Sequence, residues 1–79
     1  MPRFYFHLLN DIDVPDDEGR ECPDLAAAEE YARCQARELA GSMIKEEGRV
    51  VLHHRIDIED AQHRTVATVW FRDALQIVD

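Results

Sequence analysis

The sequence predicts an α+β domain: one long amphipathic helix packed on one face of a small antiparallel sheet, in the order β-β-α-β-β. Three observations carry that prediction. The stretch from Asp24 to Gly48 has a helix start signal, a helical stripe of apolar residues and a helix stop signal. The segments on either side alternate in polarity with a period of two, as strands do. Breakers separate them, with Pro15, Gly19 and Pro23 before the helix and Gly48 after it. At 79 residues the chain makes a single domain, residues 1–79.

The first strand spans Arg3 to Leu9. Phe4, Phe6 and Leu8 are assigned to the helix side; Tyr5, His7 and Leu9 face away from it. Asn10 to Pro23 is acidic. A turn is expected at Asp16-Asp17-Glu18-Gly19, with Arg20-Glu21-Cys22 returning as a short edge strand. Asp24 then opens the helix, because its side chain can accept from the free N–H groups of the first turn. The apolar residues fall at Leu25, Ala28, Ala32, Ala36, Leu39 and Met43, at spacings of three and four that make one stripe. Half of that stripe is Ala, so the bulk between helix and sheet must come from the strands. Gly41 costs about 1 kcal/mol against Ala inside a helix. It falls on the solvent side, so a continuous helix is expected, with a break there as the alternative. Gly48 can take the left-handed conformation that closes a helix, and Lys45 sits in the last turn.

Val50 to Glu59 reads as a strand with Leu52, His54, Ile56 and Ile58 on one face. Asp60-Ala61-Gln62-His63 is a turn, and Arg64 to Arg72 returns as the last strand. Ala67, Val69 and Phe71 are assigned inward and Trp70 outward; a one-residue change in the loop would reverse that choice. Asp73 to Asp79 is too short to assign, although Leu75, Ile77 and Val78 offer apolar surface to an edge.

The net charge of −8 argues against the basic patch that binding to a phosphate backbone requires, so no nucleic acid is expected. Seven acids between Asp11 and Asp24, opposed by Arg20 alone, hold −6 of that charge. No apolar run approaches the roughly 18 residues of a membrane span, and the first residues lack a basic-then-apolar secretory pattern. The expected compartment is the cytoplasm. Cys22 and Cys34 are accordingly expected as free thiols, with Cys34 on the outer face of the helix.

Several segments together resemble a known family. They are the opening Pro2-Arg3-Phe4-Tyr5-Phe6-His7-Leu8, the step Asp17-Glu18-Gly19-Arg20-Glu21, the helix entry Pro23-Asp24-Leu25-Ala26-Ala27-Ala28, and the ending Phe71-Arg72-Asp73-Ala74. In these the chain is similar to a family of short bacterial proteins catalogued as a domain of unknown function. The resemblance covers nearly the whole chain, and the opening is its most specific part. His63 stands where relatives often have Gly, which suggests a strained or longer turn. Trp70 stands where relatives often have Pro, which fits an outward position on an edge strand. The resemblance implies no activity and no site residues.

The acidic stretch is the most tempting chemistry. Asp11, Asp13 and Asp17 are candidate oxygen ligands for Ca²⁺ or Mg²⁺. They fail the EF-hand pattern: counted from Asp11, Pro15 replaces the fifth ligand, Asp16 the Gly and Cys22 the terminal Glu. A solvated acidic loop is the favoured reading, and no metal or cofactor is assigned. His53 and His54 are neighbours on the expected strand, so they point to opposite faces and cannot share an ion. His54 is expected to be partly buried and hydrogen-bonded. Cys34 has Arg33 and Arg37 near it but no base at a telling spacing. No nucleophile elbow, phosphate loop or dinucleotide fingerprint is present.

The expectation is therefore a non-enzymatic interaction module, most simply a homodimer. One helix, about 10 Å across, cannot cover four strands spaced at about 4.8 Å. The far face would then leave Tyr5, Leu9, Val51 and Trp70 open among His7, His53 and Arg55. The competing reading closes that face with the C-terminal tail. The runner-up function is an acidic-loop binder of a divalent cation or of a basic protein partner.

Overall fold

The computed structural model describes residues 1–79. Its elements are β1 (Arg3–Leu9), β2 (Asp13–Val14), β3 (Arg20–Glu21), α1 (Leu25–Glu47), β4 (Arg55–Glu59), β5 (Thr65–Trp70) and α2 (Phe71–Ala74). The sheet is antiparallel throughout, in the order β2-β1-β4-β5, with β3 also on β1. The α+β class and the single long helix stand as the sequence predicts. The sheet has five strands where four are expected, because the acidic segment pairs with β1 twice: β2 at Leu8 and Leu9, β3 at Arg3 and Phe4.

Between those two pairings Pro15 interrupts the backbone ladder, and the Asp16 side chain replaces it. Its Oδ2 accepts from the Phe6 N–H at 3.1 Å, and its Oδ1 accepts from the N–H groups of Glu18 and Gly19, both at 3.1 Å. The turn passes so close to β1 that a Cβ on Gly19 would lie 2.8 Å from the Phe4 carbonyl oxygen. Gly19 also has φ +71°, so a side chain is excluded there twice over.

Both helix ends form as the sequence indicates. Asp24 accepts from the Ala27 N–H at 2.8 Å. Gly48 closes the helix at φ 71°, donating to the Ile44 carbonyl at 2.9 Å. The helix runs unbroken through Gly41. The buried row is Ala28, Ala32, Ala36 and Ala40, each fully enclosed, whereas Leu39 is 38% exposed and Met43 only half-buried. The step is four throughout, rather than alternating three and four. Rows of that step run obliquely along a helix, the track expected where a straight helix crosses a twisted sheet. Phe4, Ile56, Ile58, Val69 and Phe71 supply the bulk beneath the small seam, with Phe6 and Leu8 packed against them. Tyr31 pins the other side, with its ring edge-on to Phe6 at 4.9 Å and the Arg20 guanidinium 4.4 Å above it.

The second half departs from the sequence reading at both ends. Val50 to His54 is not strand; β4 begins only at Arg55. The chain turns at Val51–His54 and gives its carbonyls to α2: His54 accepts from the Phe71 N–H at 2.9 Å, Leu52 from the Arg72 N–H at 3.3 Å. The residues expected to end β5 instead start α2, which tucks Phe71 and Ala74 into the core. Between them, the Asp60–Arg64 turn places His63 at φ 63° and Val66 bulges out of the ladder. That bulge preserves the parity, with Ala67 and Val69 toward the helix and Trp70 on the other face.

Candidate functional site

Two places on this frame gather polar side chains. The first is the sheet face away from α1. Tyr5, His7 and Leu9 of β1 lie opposite Glu59, Asp57 and Arg55 of β4, and Thr68 and Trp70 of β5 continue the surface. The face is laced by short contacts. The Asp16 N–H donates to Nδ1 of His7 at 3.0 Å, which leaves the His7 proton on Nε2, 3.4 Å from Oε1 of Glu59. Nδ1 of His63 lies 2.9 Å from the same oxygen, and the His63 ring stacks on Tyr5. The His63 contact, aided by His7 and opposed by partial burial, holds the Glu59 carboxyl below its ordinary range. Arg55 lies 5.3 Å from the Trp70 ring centroid and donates to Asp57 at 3.3 Å.

The second place is the corner where Asn10-Asp11-Ile12 passes the Val51–His54 turn. Because that turn is not a strand, His53 and His54 do not diverge; their rings meet edge to face at 5.3 Å. Oδ1 of Asp11 lies 3.7 Å from Nε2 of His54, and ligand atoms from Asp11, His53 and His54 all fall within 4.8 Å of one another. His54 is buried at 3% exposure, but neither ring nitrogen has a hydrogen-bond partner. The expectation of a hydrogen-bonded His54 is thus corrected, as is the expectation that the two imidazoles cannot share a ligand.

The three acidic candidates do not converge. Asp13 is drawn into β2 opposite Leu9, and Asp17 stays exposed in the turn. Asp11 alone joins a cluster, with the two imidazoles. His53 does not reach His7, whose cross-strand neighbour is Asp57. Cys34 is exposed and Cys22 buried, both as free thiols.

The sequence profile described as Domain of unknown function (DUF6894) matches residues 3–72. The chain belongs to that family. The DUF6894 match takes in both polar gatherings, from Tyr5 and Asp11 through His53, His54 and Trp70. No curated protein and no solved structure matches the chain. No helix is long and apolar enough to cross a membrane. Sequence reasoning missed the role of Asp16 and the Asp11–His53–His54 corner. The available signal for the first was Pro15, which had to break the ladder beside β1. For the second there was none, since Leu52 to His54 alternate as a strand would.

Proposed function

We propose that this DUF6894 chain is a non-enzymatic, cytoplasmic interaction module that pairs with a second copy of itself through the open face of its sheet. The observation that carries the reading is the state of that face. Tyr5, Leu9 and Trp70 lie there only half-buried, and the competing cover is elsewhere, since Ile77 and Val78 are each 73% exposed. Aromatic rings interleaved with Arg are what interface cores favour. Arg55 stands among the acids Asp57 and Glu59 on this face, so a two-fold pairing can set the Arg55 of each copy against an acid of the other.

The area sets the strength. The three longer strands β1, β4 and β5, at about 4.8 Å spacing and about six residues long, make a patch of roughly 300 Å². That is less than half of the roughly 800 Å² each partner buries in a stable complex, so the dimer is a weak one. Sedimentation equilibrium from tens to hundreds of micromolar tests it. The average mass should rise with concentration above 9.2 kDa, and Trp70→Lys should abolish the rise. A single species of monomer mass over the whole range would reject the module's self-pairing.

A further inference from the structure

We propose that Asp11, His53 and His54 form a binding site for one divalent transition-metal ion of the zinc class. The site lies at the β1–β2 corner, apart from the open sheet face, and does not depend on self-pairing.

The argument starts from His54. Its side chain is only 4% exposed, its ring is held edge-on to Phe71 at 5.6 Å, and its backbone carbonyl is tied to the Phe71 N–H. A neutral imidazole has one donor and one acceptor nitrogen, and enclosing both without partners costs on the order of 1–3 kcal/mol for each. The Asp11 carboxylate is near but, at 3.7 Å, too far for a hydrogen bond. A metal ion between them gives Nε2 the partner it lacks and draws the carboxylate in.

The donor set and its geometry fit such an ion. Two imidazoles and one carboxylate suit zinc and its neighbours, not Ca²⁺ or Mg²⁺, which take oxygen ligands. Tetrahedral coordination at about 2.0–2.1 Å places ligand atoms about 3.3 Å apart. The present spacings, 3.7 Å for one pair and at most 4.8 Å for the rest, are within a side-chain rotation of that. The residues that must move are free to do so: the Asp11 side chain is 80% exposed and His53 is exposed in its turn. His54 is the fixed ligand and the other two close on it. Solvent fills the remaining position. Asn10 and Glu46 line the cleft that reaches His54.

The test uses the intact chain and Zn²⁺ alone. Calorimetric titration at neutral pH should give one ion per chain, and the thermal midpoint should climb with Zn²⁺ concentration, as for any ligand of the native state. Asp11→Asn and His53→Ala should each weaken binding at least roughly tenfold; His7→Ala and His63→Ala should leave it unchanged. His54→Ala endangers folding, so His54 is read in the wild type by the ¹⁵N shifts of its ring, which should move on adding one equivalent. Affinity weaker than about 1 mM, unaltered affinity in both Asp11→Asn and His53→Ala, or static His54 ring shifts would each overturn the site. Sedimentation of the metal-free chain reports on self-pairing separately.

Discussion

Asp16 does with a side chain what β1 receives elsewhere from backbone. Partial burial works against its charge and raises its carboxyl. The N–H groups of Gly19, Phe6 and Glu18 outweigh that, and the net shift is below the ordinary 3.8. A carboxyl lowered on folding stabilises the fold above its unfolded value, and that contribution is lost as pH falls through the folded value. Acid unfolding below pH 3.8 should therefore be shallower in Asp16→Asn than in the wild type. At neutral pH the same variant should lose about 1–2 kcal/mol, because an amide donor faces the Phe6 N–H. A urea titration at pH 7 and pH 3 reads both effects; parallel losses at the two pH values would reject the role of the charge. His63 is the second telling residue. Its φ of 63° is a conformation that glycine holds without strain. His63→Gly relieves that conformation but gives up the Glu59 and Tyr5 contacts and loosens the unfolded chain, so it should stay within about 1 kcal/mol of the wild type. His63→Val should lose about 1–2 kcal/mol, since a branched Cβ collides with the backbone there. Equal stability of the two variants would mean that the turn relaxes without using that conformation.

At the scale of elements the helix seam is the sensitive feature. Ala32 is fully enclosed between α1 and the sheet. Ala32→Glu should cost at least about 3 kcal/mol, a large share of what a domain of this size holds. Ala26→Glu, on the exposed first turn, should be neutral or slightly stabilising through the helix dipole. Nothing lies within 4 Å of a Cβ added at Gly41, so Gly41→Ala should raise stability by about 1 kcal/mol. Thermal melts of the three separate a packing fault from a change in helix propensity. These elements were legible because local chemistry specifies them: Asp24 and Gly48 cap α1, Phe4-Phe6-Leu8 alternate, and Asp60–His63 turns. What was not legible depends on distant partners. Leu52 to His54 alternate as a strand would, yet α2 captures their carbonyls, and that helix exists because Phe71 finds a core position. No spacing in the sequence announces it. The Asp11–His53–His54 corner follows from this one departure, since only a turn brings adjacent imidazoles together. Asp16 was hidden among six other acids that look alike until one of them has to meet the Phe6 N–H.

At the scale of the whole molecule, charge decides which encounters succeed. The chain carries −8, and Arg3, Arg49, Arg55 and Arg64 make ion pairs with Glu21, Glu47, Asp57 and Asp60. No detectable duplex DNA binding is expected at physiological salt; a gel shift at low micromolar protein would contradict this. The same charge acts on self-pairing. Each chain meets a partner that also carries −8, while the open face offers Arg55 beside Asp57 and Glu59 and the rings of Tyr5 and Trp70. Net repulsion acts over the Debye length, about 10 Å at 0.1 M salt and about 3 Å at 1 M. Contacts within the face are only about 3–5 Å long, well inside the Debye length at 0.1 M, so salt weakens the repulsion between the two bodies more than the attraction between the patches. Apolar burial at Tyr5, Leu9 and Trp70 is not screened at all. Self-pairing should therefore tighten as sodium chloride rises from 0.05 M to about 0.5 M, where most of that long-range repulsion is screened. An interface held chiefly by Arg55 against acids of the second copy would weaken over the same range. Sedimentation at three salt concentrations distinguishes the two, and a dissociation constant that climbs with salt would replace the aromatic face with an ionic one.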